Sequence, residues 1–218
     1  MGASLIDDER FQATCFVVLD FEATTPTGRR PEPIEIAAIA LRVSGGELRE
    51  INRFAALIRP PEHAPITPFD TEQTGITATM AAEAPTADEV LARLDSRLTN
   101  PPYLLVAHNA PTEANILFDY RAHCPTLAAI DFLDTVRLAR IVYPDLFSHR
   151  LDVLINHLGI PRPVDRHRAL PDVEITVEVF RRLTTEGDRA GRWHTLGQVR
   201  EHGLYKAKGR KPEQATLF

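Results

Sequence analysis

The chain has 218 residues, 44% of them hydrophobic, which is enough to bury one substantial core and falls within the usual range of a single domain. Its formal net charge of −5 speaks against a protein that grips nucleic acid through an overall positive field, while leaving room for a local cationic grip beside an acidic metal site. Two cysteines, Cys15 and Cys124, are too few for a disulfide framework, no run is long enough for a membrane-spanning helix, and Met1 to Gln12 is polar and acidic. A soluble, cytoplasmic protein with reduced, structural cysteines is expected.

Residues 1–13 read as an N-terminal extension and 14–203 as the globular domain. Cys15 to Glu22 reads as a buried strand of β-branched and aromatic residues, closed by polar turn signals over Thr24 to Arg30. Ile34 to Val43 is a second strand, ended by Ser44-Gly45-Gly46, whose glycines predict a hairpin into a third antiparallel strand reaching Phe54 to Ile58. Pro60 to Pro68 reads as loop. Thr86, with Asp88 and Glu89 after it, opens an amphipathic helix bearing Val90, Leu91, Leu94 and Leu98 on one face. A strand at Tyr103–Ala107, a helix from Pro111 to His123 and a strand near Ile130–Leu133 follow. Helices are then expected at Thr135–Ile141, Leu151–Leu158 and Pro171–Leu183, with a closing helix between Asp188 and Gly203. A three-strand meander followed by alternating helices and strands predicts an α/β layer fold with a mixed sheet. All three lysines, Lys206, Lys208 and Lys211, fall near the C-terminus, so 204–218 reads as a basic, flexible tail. No GxGxxG follows a strand and there is no P-loop, which removes the main support for a nucleotide cofactor.

Three clusters carry chemistry. Asp20 and Glu22 flank Phe21 at the end of an apolar strand, so the strand's period of two puts both carboxylates on one face. Two like charges there are costly unless cations sit between them, although a strand end fraying into solvent would tolerate the pair. The second cluster is His108-Asn109-Ala110-Pro111-Thr112-Glu113, where a strand enters a helix. An acid in that first turn is favoured by the helix dipole whether or not it has a function. In the third cluster, Pro171 places a helix start near Leu170 and Asp172 at its beginning, with His167 in the preceding loop. An imidazole just before a fixed carboxylate suits a general base whose partner anchors a metal, and a lone histidine there is also a common surface residue.

In order and context these clusters resemble the three motifs of the DEDD exonuclease superfamily, in its histidine-containing branch. Leu19 to Thr24 is similar to the first motif, Val106 to Ala110 with Glu113 to the second, and His167 to Leu170 with Asp172 to the third. The resemblance is strongest to exonuclease domains related to the proofreading epsilon subunit of bacterial DNA polymerase III. Ile34 to Ala37, Thr74 to Ile76, Asp134 to Arg140 and His157 to Pro161 support it. It implies a ribonuclease H-like three-layer fold with a mixed five-stranded sheet. It also implies phosphodiester hydrolysis with two Mg²⁺ or Mn²⁺ ions held by Asp20, Glu22, Asp172 and Glu113, and with His167 taking the proton from water. A neutral imidazole is needed for that, so activity should climb as pH rises through the imidazole titration. Thr24, His108 and Asn109 would contact the nucleic-acid substrate.

The second motif departs from the family pattern, because Glu113 stands where Asp is usual and Thr112 where an aromatic is usual. The longer side chain keeps the charge and alters its reach. The last five residues, Gln214-Ala215-Thr216-Leu217-Phe218, resemble the short peptide with which bacterial polymerases and repair enzymes dock on the sliding clamp. Gln214, Leu217 and Phe218 would be its anchors, and docking would favour DNA as substrate. An exoribonuclease of the same superfamily and a non-catalytic nucleic-acid or polymerase-binding module remain open alternatives.

Overall fold

The computed structural model describes residues 4–162 and 167–209. A 3-10 turn at Leu5–Asp7 and helix α1 (Glu9–Ala13) precede an antiparallel meander of β1 (Cys15–Ala23), β2 (Pro33–Ser44) and β3 (Glu47–Leu57). Gly45 and Gly46 make the β2–β3 turn at φ of 62° and 78°, the doubly left-handed backbone that a tight hairpin requires. Helices α2 (Pro68–Thr74), α3 (Ala78–Ala81) and α4 (Ala87–Asp95) lead to β4 (Tyr103–Ala107). After α5 (Pro111–Asp119) and α6 (Pro125–Ala129) comes β5 (Phe132–Asp134), followed by α7 (Thr135–Val142) and α8 (Leu151–Leu158). The long α9 (Ala169–Arg189), α10 (Leu196–Gly203) and β6 (Leu204–Tyr205) complete the order.

The strands form one mixed sheet in the order β3-β2-β1-β4-β5-β6, with β1, β4 and β5 mutually parallel and the other pairings antiparallel. Alternate residues of each strand feed two separate cores. Phe16, Val18, Ala37, Ile39 and Val106 pack with α7, α8, α9 and α10, while Val17, Leu19, Phe21, Ile36 and Leu105 pack with α4, α5 and α6. The result is the expected three-layer fold, helices over both faces of a sheet. Among the described residues no helix is long and apolar enough to cross a membrane.

Several local expectations change. The sheet has six strands instead of five, because Leu204 and Tyr205 pair with Leu133 and Phe132 along what would otherwise be an open edge. Residues 204–209, expected as part of the basic tail, therefore pack on the body. Ala207 N–H donates to Asp131 at 3.0 Å and Gly209 N–H donates to the Ala128 carbonyl at 3.1 Å. At the other end, residues expected as an extension belong to the body: Leu5 and Phe11 are buried, Ser4 and Leu5 donate to Asp188, and Leu196 N–H donates to Asp8. The helix expected to reach His123 stops at Asp119, and Pro125, which disfavours helical backbone at Cys124, starts α6. Helices α2 and α3 add to the expected elements, and Thr67 with Asp70 around Pro68 forms the capping box that starts α2.

Candidate active site

Asp20 and Glu22 continue the Phe16–Val18 register of β1, so they leave the sheet on the side covered by α9. The first turn of α9 carries Asp172, 9% exposed, beneath the same strand end. Asp20, Glu22 and Asp172 each bring a carboxylate oxygen to within 4.8 Å of the other two. Three anions cannot share that space in low dielectric at little cost, and hard oxygen donors in such a cluster are what Mg²⁺ or Mn²⁺ take. The residues present therefore fit divalent cations.

Glu113 lies outside this triad. It occupies the first turn of α5, 3% exposed, with its Oε2 lacking a hydrogen-bond partner among the described residues. Burial, the dominant effect, pushes its carboxyl up to about 8; a backbone hydrogen bond partly offsets this, and the nearby Asp134 charge adds to it. A buried acid with an orphaned oxygen is the signature of a group awaiting a cation or a proton.

Asp134, at the end of β5, has a role that the sequence did not disclose. Its Oδ1 accepts from Val136 N–H at 2.9 Å, capping α7, and from Asn109 N–H at 3.2 Å, fixing the turn between β4 and α5. Burial raises its pKa against the pull of those donors and of Arg137. Asn109 sits at φ 73°, and His167 at φ 67°; they are the two non-glycine residues with positive φ among the described residues. Strained backbone concentrates where surrounding structure dictates a side-chain direction, and both residues are among the expected site positions.

His167 is exposed, immediately ahead of α9. The His108 ring lies against Thr135 Oγ1 at 2.8 Å, and the Asn109 side chain donates to Thr112 Oγ1 at 3.2 Å. Thr24 is 1% exposed and its hydroxyl accepts from Glu32 N–H, so the side chain expected to touch a nucleotide instead braces the β1–β2 connection. Thr25, next in the chain, gives both its N–H and its hydroxyl to Asp70 Oδ1, at 3.0 and 2.7 Å. Asp70 takes two further bonds from Thr67; burial works against its charge, but these donors outweigh it and lower the pKa. Gln214, Leu217 and Phe218 lie outside the described residues.

A family profile described as exonuclease matches residues 17–180, which includes all three acidic clusters. The chain belongs to the exonuclease family. The chain is 33% identical over 177 residues to a DNA polymerase III PolC-type protein of Clostridium perfringens, an alignment covering 79% of this chain and 12% of the relative. It is 34% identical over 208 residues to a DNA polymerase III subunit epsilon-like protein of Rhodobacter capsulatus, covering 93% of this chain and 29% of that one. The chain thus spans less than a third of the length of either relative. Its fold matches the nuclease domain of 3′hExo, a DEDDh family member solved with bound rAMP. The TM-score is 0.70 at 20% identity, covering 83% of this chain and 96% of the other. The three-layer fold expected from the motifs is thereby that of the protein.

Proposed function

We propose that the protein removes nucleotides from the 3′ end of DNA by hydrolysing the terminal phosphodiester bond, using divalent cations held by Asp20, Glu22 and Asp172. The observation that carries this reading is the convergence of those three carboxylates from two distant segments of the chain onto one point at the end of the central strand β1. When bound, two Mg²⁺ or Mn²⁺ ions would polarise the phosphodiester and offset the charge developing on the departing 3′ oxygen. His167, exposed at the rim ahead of Asp172, takes the proton from the attacking water at a ring nitrogen. Glu113 supplies the fourth carboxylate, its ionised form becoming affordable only with a cation near. His108 and Asn109, tethered to Thr135 and Asp134, present the substrate-facing turn.

DNA is the favoured polymer because the chain is similar to two DNA polymerase III components. RNA remains the second reading because the structural relative was solved with a ribonucleotide. The test is digestion of 5′-labelled single-stranded DNA and RNA with Mg²⁺, Mn²⁺ or chelator. Stepwise shortening of DNA with metal and none with chelator is expected; intact DNA and RNA under every metal condition would reduce the protein to a binding module. The sliding-clamp partner rests on the sequence of Gln214 to Phe218. A peptide spanning Lys211 to Phe218 should bind purified clamp, and an absence of measurable affinity would remove that partner.

A further inference from the structure

We propose that Glu35 and Arg168 form a latch that sets the active-site geometry, making Glu35 a positioning residue for Asp172 and His167. The inference rests on the exonuclease reading and adds Glu35, which lies outside the three acidic motifs. Glu35 lies in β2 directly opposite Glu22, so the two side chains share the face on which α9 packs. Two acids facing one another across a strand pair disfavour the fold, and Glu35 is only 7% exposed. Its carboxylate is nonetheless fully engaged. Arg168 donates to it from Nε at 3.0 and 3.2 Å and from a terminal guanidinium nitrogen at 2.6 Å, and Ala169 N–H donates to Oε2 at 2.9 Å.

Arg168 is the N-cap position of α9 and offers no side-chain cap of its own. Glu35 thus supplies, from another element, the acceptor and negative charge that a helix N-terminus needs. His167 is the residue before this anchor and Asp172 lies within the first turn after it. The length of α9 is already fixed by Val173, Val177, Phe180 and Leu183 in the core, so the latch is not needed to hold the helix on the sheet. A largely buried ion pair adds little net stability, but a planar guanidinium on a carboxylate fixes distance and orientation. The latch therefore sets the position of the helix end, and with it the reach of Asp172 to the β1 acids and the left-handed backbone at His167.

The test uses the full chain with Glu35→Gln, which keeps an acceptor for Ala169 and removes the charge pair, and Arg168→Lys, which keeps the charge and removes the fork. Arg168→Lys, which keeps the charge pair, is expected to melt close to wild type in chelator, and Glu35→Gln, which leaves the partly exposed guanidinium without its carboxylate, somewhat below it. Each should lose about 10- to 100-fold in kcat with little change in KM and bind Mn²⁺ about tenfold more weakly by calorimetry. Combined with His167→Ala, Glu35→Gln should cost far less than it does alone, because both changes remove the same alignment. Unchanged kcat and Mn²⁺ affinity, or losses that multiply with His167→Ala and track a falling melting temperature, would overturn the latch. If wild type digests no polymer the exonuclease reading fails separately, and Mn²⁺ affinity decides: weaker in Glu35→Gln upholds the latch, equal rejects it.

Discussion

Glu113 combines, in one side chain, burial, an unpaired oxygen and a nearby like charge at Asp134. Its folded pKa of about 8 lies above the ordinary 4.5, so the folded state holds a proton that the unfolded chain releases. That favours folding fully below about 4.5, and the advantage is lost as pH rises toward 8. Glu113→Gln, neutral at every pH, is expected to flatten this decline, so that urea midpoints measured in chelator at pH 5 and pH 8 converge. The same variant should reduce metal-dependent cleavage, since the amide cannot balance a cation. For Asp20 the argument is repulsion: Asp20→Ala removes one of three converging charges. It should abolish cleavage while raising the melting temperature of the metal-free protein. A drop in melting temperature would assign Asp20 a structural role.

Elements give predictions of a different kind. Helix α9 runs past the expected end at Leu183 because Gly187 lets it pass under Trp193, whose ring nitrogen donates to the Thr184 carbonyl at 3.2 Å. A Cβ at Gly187 would meet the Trp193 ring at 2.1 Å. Gly187→Ala, usually favourable in a helix, is therefore expected to cost about 1–3 kcal/mol in denaturant unfolding through forced overpacking. The closing strand gives a second case. A chain ended after Gly203 loses the β5–β6 pairing and the Ala207 bond to Asp131, and it exposes an edge carrying Phe132 and Leu133. It should melt below a chain ended after Gly209 by a margin equivalent to roughly 2–4 kcal/mol.

For the whole molecule, acids of opposite behaviour set the pH profile. Asp70 and Asp188 have lowered pKa values: burial opposes their charge, and donors from Thr67 and Thr25, or from Ser4, His194 and Leu5, outweigh it. The stability they contribute is present above the ordinary 3.8 and lost as pH falls through their lower folded values. Glu113 and Asp134, both raised, work in the other direction, their contribution being lost as pH rises through their higher folded values. Metal-free protein should thus be most stable at about pH 5, where the first pair is ionised and Glu113 still keeps its proton. Saturating Mn²⁺ should raise the melting temperature most at neutral pH and shift the optimum upward. Thermal melts across pH with and without metal check this, and an optimum that ignores Mn²⁺ would contradict cation binding by these acids.

The sequence by itself determined the layers and the ends at which chemistry collects. Period-two alternation placed Asp20 and Glu22 on one face, Pro171 placed Asp172 in a helix start, and the Gly45-Gly46 pair set the meander; each signal depends only on residues adjacent along the chain. What lay beyond it depends on residues far apart. That Glu113 stands apart from the triad beside Asp134, that Thr24 turns inward, that Leu204 and Tyr205 complete the sheet, and that Glu35 caps a helix 134 positions away are consequences of packing. A carboxylate's partners and charge state follow from what is brought against it in three dimensions, and only tertiary structure supplies that.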